Sequence, residues 1–285
     1  MAGGLSRSEL SELLRTTSRT FALAIPLLPE PLATDVGAAY LLFRIADTFE
    51  DATNWDRARR LRALDAFVAW LRGEPESFID ASKKDPPVDD AACLGLIARA
   101  GDVKLTLSGP AIAIVVEHVM RTAEAMRTFV EKQDERGRLV LQSEDELRAY
   151  CYAVAGIVGE MLTALFQLED ADLRSDDFLA KGVAFGEGLQ LVNILKDSAE
   201  DERAGRSYIP PSLERAAVVA RARNDLALAE RYVVTLKSSR VRPGIVTFCE
   251  VPRRLAVATL DALDRGEPKL SRDEVMRIIA EATSA

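Results

Sequence analysis

The sequence predicts an all-α protein folded as a single domain over residues 1–285, its helices wrapped around a central pocket. Three observations lead there. Nearly every long segment carries apolar residues at a 3.6-residue period, and alternating β-branched runs are few. Several segments open on a capping box, in which an N-cap serine and a glutamate three residues later satisfy each other's backbone N–H groups: Ser6 with Glu9, Ser143 with Glu146, Ser271 with Glu274. The breaks between segments are short.

In chain order the periodicity places helices over roughly 6–17, 31–51, 54–72, 89–100, 110–135, 143–167, 175–203, 211–238, 244–265 and 271–283. Proline and glycine put the breaks at 26–31, 73–87, 101–110 and 207–212. The longest break, GEPESFIDASKKDPP, is too short and too ordinary for a domain linker. No internal repeat, heptad run or low-complexity tract is present.

With 48% apolar residues, the chain can bury a sizeable core. A net charge of −8 argues against a nucleic-acid partner but leaves room for an anionic ligand, because metal ions and a few arginines can reverse the field inside one pocket. Cys93, Cys151 and Cys249 are far apart and unpaired in pattern, which suggests buried small hydrophobes in a reducing compartment. The single histidine, His118, lies in an apolar helical stretch and reads as structural, and so low a histidine count removes most histidine-based catalytic schemes. The first residues lack the basic and apolar regions of a secretory signal, and no uninterrupted apolar run of about 18 residues predicts a membrane span. A cytoplasmic protein is expected.

Two helices carry the chemistry. In YLLFRIADTFED, Asp47 and Asp51 are four residues apart and share a face with Arg44 and Tyr40, while Leu41, Leu42, Ile45 and Phe49 suit the opposite, packed side. Neighbouring carboxylates repel unless a cation lies between them, and an oxygen-only donor set selects a hard ion, magnesium or manganese. In GLQLVNILKDSAED, Asn193, Asp197 and Asp201 recur at four-residue steps with Gln190 three residues ahead; Lys196 and Glu200 lie one position off that line, and Arg206 follows the helix. Either motif alone reads equally as a solvated charged face. Both, however, interrupt strongly apolar helices, where unpaired carboxylates are costly to bury. Metal bound against diphosphate is the better account.

The helix AYCYAVAGIVGEMLTALF is broken by Ala153, Ala155, Gly156 and Gly159. Glycine costs about 1 kcal/mol there relative to alanine, which points either to close helix packing or to clearance for a bulky apolar ligand. Tyr150, at its start, offers a phenol that can bind a phosphate or relay a proton.

Five blocks in order resemble the squalene/phytoene synthase family: SRTF from Ser18, YLLFRIADTFED from Tyr40, YCYAVAGIVG from Tyr150, QLVNILKDSAEDERAGRS from Gln190, and FCEVPRRLAVATL from Phe248. The D-T-x-E-D form of the first acidic motif and the Phe248 block are closer to the squalene branch. The resemblance implies the isoprenoid synthase fold, with two aspartate-rich motifs opposed across an apolar chamber. It further implies that Asp47, Asp51, Asp197 and Asp201, assisted by Asn193 and Glu200, bind Mg²⁺. Ser18, Arg19, Arg44, Gln190, Lys196 and Arg206 would serve the diphosphates, Tyr40 and Tyr150 would act near the departing group, and Phe248 would line the chamber.

The implied activity is head-to-head condensation of two farnesyl diphosphates through presqualene diphosphate to squalene, with NADPH as reductant. Related outcomes are presqualene diphosphate, dehydrosqualene, hydroxysqualene, or phytoene from geranylgeranyl diphosphate. An inactive relative serving as a scaffold or prenyl-lipid binder is the non-enzyme alternative, which the intact aspartates disfavour. The expected state is a monomer without nucleic-acid partner or C-terminal membrane anchor, touching a membrane only peripherally at product release. Departures from the family pattern are Lys196, where arginine is usual, and Glu250 with Arg253 and Arg254. No glycine-rich dinucleotide fingerprint follows a strand, so NADPH rests on the resemblance alone.

Overall fold

The computed structural model describes residues 3–17, 21–52 and 54–284, and these group into two compact units, residues 1–137 and 138–285. The first unit contains α1 (Arg7–Thr17), α2 (Phe21–Ala24), α3 (Leu32–Glu50), α4 (Arg57–Leu71), α5 (Ser77–Lys84), α6 (Ala91–Ala98), α7 (Ala100–Thr106) and α8 (Gly109–Lys132). Its hub is α3, which packs against α1, α4, α6, α7 and α8. The reason is compositional: Ala38, Ala39, Leu41, Leu42, Ile45, Ala46 and Phe49 have no exposed surface. Phe49 lies in an aromatic cluster, stacked on Trp55 at 5.9 Å and edge-on to Phe67 and Phe78 at 6.1 and 5.8 Å. Asp35 of α3 is buried and caps α8 from outside, accepting from the Ser108 backbone N–H at 2.7 Å and its hydroxyl at 2.8 Å.

The second unit runs through β1 (Leu139–Val140), α9 (Glu144–Cys151), a π-helical segment (Tyr152–Gly156), α10 (Ile157–Phe166), α11 (Asp176–Arg203), β2 (Arg206–Ser207), α12 (Arg215–Lys237), α13 (Pro243–Asp264) and α14 (Arg272–Thr283). Here α11 is the hub, packed on α9, the π segment, α10, α12, α13 and β2. Glycines set those distances. A Cβ added at Gly159 would lie 2.1 Å from the Gly182 carbonyl oxygen, and one at Gly186 would lie 2.1 Å from that of Ala155. Close helix packing therefore accounts for Gly159 and Gly186. Thr163 completes the seam, its hydroxyl bonded to the Gly159 carbonyl at 2.7 Å and the buried Tyr232 hydroxyl at 3.0 Å.

The all-α expectation holds, with four local differences. The stretch read as a long loop contains α5, which is short but buries Phe78 and Ile79. The 89–100 segment divides into α6 and α7 around Arg99, and helix continues through Gly101. The helix expected over 143–167 widens into a π turn at Tyr152–Gly156, a distortion common near functional sites. Two-residue strands β1 and β2 pair in parallel, Leu139 with Arg206 and Val140 with Ser207.

The capping boxes at Ser6 and Ser271 are reciprocal, whereas Glu146 turns back to the Gln142 N–H instead. The three cysteines are free and buried, and His118 is buried with its Nδ1 2.7 Å from the Ile114 carbonyl. Two helical stretches, Glu144–Phe166 and Asp176–Arg203, are long and apolar enough to cross a membrane by length and composition. Uninterrupted apolar runs had not revealed them, and core helices such as α10 and α11 pass the same test.

Candidate active site

The first acidic face is built on α3. Arg44, Asp47 and Tyr40 are half-buried, and Asp51 caps the helix, its N–H bonded to the Asp47 carbonyl at 2.9 Å. Arg44 Nη1 lies 3.9 Å from Asp47 Oδ2, too long for a strong bidentate pair. Arg44 Nη2 contacts Cys93 Sγ at 3.9 Å, and its buried Nε has no hydrogen-bond partner. Surrounding protein, then the Asp51 charge, push the Asp47 carboxyl up to about 7 against the pull of Arg44, although its side chain keeps 38% of its accessible surface. A carboxylate so placed is short of positive charge. The Tyr40 hydroxyl donates to the Thr17 carbonyl at 3.3 Å; Thr17 immediately precedes Ser18 and Arg19 in sequence. Those two predicted residues lie outside the described residues.

The second face is carried by α11. Gln190, Asp197 and Asp201 are half-buried, while Asn193, Lys196 and Glu200 are exposed. Lys196 Nζ sits 3.4 Å from Asn193 Oδ1 and 3.3 Å from Asp197 Oδ2, so the ammonium bridges two neighbouring oxygen donors. The helix then stops at a left-handed glycine, Gly205 at φ +80°, whose carbonyl accepts from the Leu139 N–H at 3.1 Å. That turn places Arg206 on β2, three residues past the end of the acidic helix.

Tyr150 is buried at the end of α9 and stacks on Tyr208, with ring centroids 4.5 Å apart and its hydroxyl donating to the Tyr208 hydroxyl at 3.1 Å. Phe248, on α13, is 3% exposed and meets Phe166 edge-on at 6.4 Å. A second charged group occupies the seam between α11 and α12. Burial raises both Glu187 and Asp225, with Arg221 near each at 3.9 and 3.8 Å, and the buried Asp225 Oδ2 has no hydrogen-bond partner.

Residues 14–216 match the model of the squalene/phytoene synthase family. The chain belongs to that family. It is 27% identical to squalene synthase of Bos taurus over 299 residues, covering 95% of this chain and 68% of that protein. Against squalene synthase of Candida albicans it is 29% identical over 277 residues, covering 87% and 60%. Among solved structures, a ligand complex of TcSQS superposes with a TM-score of 0.79 at 24% identity, covering 96% of this chain and 85% of that one. Squalene synthase HpnC from Alicyclobacillus acidocaldarius gives 0.62 at 21% identity, covering 92% and 94%. At those identities the structural likeness speaks for the isoprenoid synthase fold. This family member is thus a prenyltransferase-type enzyme, of a family acting on prenyl diphosphates.

Within the family frame, a divalent ion can be tested against the donors present. Among the described residues no group of three or more His, Cys, Asp or Glu is gathered tightly enough to cage a metal. Each acidic face instead offers two carboxylates one turn apart. That fits Mg²⁺, which usually takes one or two carboxylates and completes its shell with water and substrate phosphates. The raised Asp47 carboxyl points the same way, since a cation would relieve the repulsion from Asp51.

Sequence reasoning missed Tyr208 and the group of Glu187, Arg221 and Asp225. Tyr208 had no signal in its own pattern, since it lies just past β2 and meets Tyr150 only across a long stretch of chain. The charged group had none, because α11 and α12 meet only in three dimensions.

Proposed function

We propose that residues 1–285 act as one catalytic unit that joins two farnesyl diphosphates head to head, through presqualene diphosphate, to squalene. The observation carrying this reading is the pair of acidic helix faces, each with its own cation: Arg44 beside Asp47 and Lys196 beside Asp197. Asp47, Asp51, Asn193, Asp197, Glu200 and Asp201 would hold Mg²⁺ (or Mn²⁺). Bound there, the metal would neutralise the departing diphosphate.

This chain's own groups do the rest. Arg44, Lys196, Arg206 and Arg19 would donate charge-assisted hydrogen bonds to diphosphate oxygens, with Ser18 and Gln190 adding neutral ones. Loss of diphosphate from one substrate leaves an allylic cation, which the double bond of the second attacks. The apolar helices exclude the water that would quench it. Loss of a proton then closes the cyclopropane, and Tyr150, whose hydroxyl is bonded to that of Tyr208, would relay that proton. Departure of the second diphosphate opens the ring past the Phe248 face, where an aromatic quadrupole stabilises positive charge. NADPH, when bound, would supply the hydride that turns the resulting cation into squalene. A cytoplasmic monomer with peripheral membrane contact at product release suits an apolar product made from charged substrates.

The test is incubation of the purified chain with farnesyl or geranylgeranyl diphosphate and Mg²⁺, with and without NADPH, followed by mass spectrometry of the extract. Squalene formed only with NADPH is the expected result. Presqualene diphosphate, dehydrosqualene, hydroxysqualene or phytoene would move the product within the family, and no diphosphate release from either substrate would sink the proposal.

A further inference from the structure

The departure from the family pattern on α13 makes a structure of its own. Glu250 is 5% exposed, yet three cations converge on its carboxylate. Arg253 Nε donates to Oε2 at 2.7 Å, Arg254 Nη2 to Oε1 at 3.1 Å, and Lys237 Nζ, from the last turn of α12, stands 3.5 Å from Oε1. Burial opposes the Glu250 charge, but Arg253 first, then Arg254 and Lys237, bring its carboxyl down to about 2. The carboxylate is therefore ionised throughout the working range, and the group carries a local charge of +2 in a chain whose net charge is −8.

One forked arginine satisfies a buried carboxylate. Three cations leave donors to spare. The terminal nitrogens of Arg253 and the rest of the Arg254 guanidinium make no other hydrogen bond among the described residues. None of these nitrogens is a buried unpartnered atom, so each reaches solvent. Glu250 holds both guanidiniums in place, which removes much of the side-chain entropy that a ligand would otherwise have to overcome. Other arginines of this region are engaged: Arg240 with Asp170 and Asp172, Arg242 with Glu169.

We propose that Lys237, Arg253 and Arg254, fixed by Glu250, form a binding site for the phosphate monoester of a small soluble molecule. A monoester carries close to two negative charges near neutral pH and three acceptor oxygens, matching the surplus charge and the unused donors. A lipid surface fits less well. Arg253 keeps only 15% of its side-chain surface and Arg254 31%, so two of the three cations are less open to a flat array of headgroups than to a small molecule. The site is independent of the condensation proposed above and uses none of the residues assigned to it.

The experiment is calorimetric titration of the full chain with inorganic phosphate and with adenosine 2′-phosphate. EDTA in the buffer removes metal-assisted binding at the aspartates. Saturable one-to-one binding is expected, weakened by about tenfold or more in Arg254→Gln and in Lys237→Gln. Arg254→Lys should recover part of the loss. These positions are half-exposed or exposed and decide the matter; Arg253→Gln, deeper in the fold, is read only alongside an unchanged thermal melt. Absence of saturable binding to both probes would overturn the proposal, as would undiminished affinity in both deciding variants. Co-sedimentation with phosphatidylglycerol vesicles without binding of either soluble probe would overturn it in favour of a lipid surface.

Discussion

The two acidic helices present similar faces but are seated by opposite means. α3 is held by bulk: Phe49, on the side away from Asp47 and Asp51, is fully buried among Trp55, Phe67 and Phe78. α11 is held by the absence of bulk, with Gly182 and Gly186 letting its backbone come against the π segment and α10. A carboxylate helix in an apolar core needs firm anchoring, because its charged face contributes nothing to packing. The comparison shows two ways to obtain it, and they should fail differently. A seat made of side chains leaves a cavity when trimmed, whereas a seat made of glycines is pushed apart when filled.

The largest effect tests whether the two faces are functionally alike. Asp47→Ala and Asp197→Ala should each lower turnover of farnesyl diphosphate by at least about 100-fold, the scale seen when one group stabilising the departing charge is removed. Far-UV circular dichroism should not change, since these side chains retain 38% and 44% of their accessible surface and lie outside the core. If one variant stays active while the other is dead, only one helix carries a metal site. The likeness between the faces would then be compositional.

The next effect concerns the seats. Phe49→Ala should cost about 3–5 kcal/mol of unfolding free energy, because the three surrounding rings cannot close over the space. Gly182→Ala meets the Thr163 hydroxyl oxygen at 2.2 Å and should cost about 1–3 kcal/mol as α10 and α11 separate. Denaturant unfolding followed by circular dichroism measures both. A Gly182→Ala protein as stable as the parent would mean that the α10–α11 approach is slack, and the contrast with α3 would fall.

Much of this could be read in the sequence, and the reasons differ by region. The α3 face was legible because helical periodicity alone separates Asp47 and Asp51 from Leu41, Leu42, Ile45 and Phe49. The position of α11 was legible for the same reason, and its observed ends carry cap residues, Ser175 ahead of it and Gly205 beyond it. The purpose of Gly159 was not legible, because a glycine that admits a ligand and one that admits a neighbouring backbone look identical in one dimension. The π turn before it was hidden likewise, since its period differs from an α-helix by too little over five residues. α5 escaped because eight residues hold too few turns to show a period. Tyr208 escaped because it follows a strand of only two residues and finds Tyr150 only in the folded chain.

The smallest effect separates the cations of the two faces. Arg44 reaches toward Asp47 at 3.9 Å, is half-buried, and keeps a buried Nε without a partner. Its planar fork has donors left for a diphosphate, and Arg44→Lys would replace the fork with a single ammonium. Lys196 already is such a point charge, bridging Asn193 and Asp197 from an exposed position, where the family usually carries arginine. Arg44→Lys should therefore lower kcat/KM by about tenfold, corresponding to one charge-assisted hydrogen bond. Lys196→Arg should leave it within about twofold or raise it, since exposure gives the longer side chain room and the fork restores a second donor. Equal losses from the two exchanges would show that shape is fixed at both faces. Equal tolerance would show that only charge matters, and the second donor of the Arg44 fork would then have no part in binding substrate.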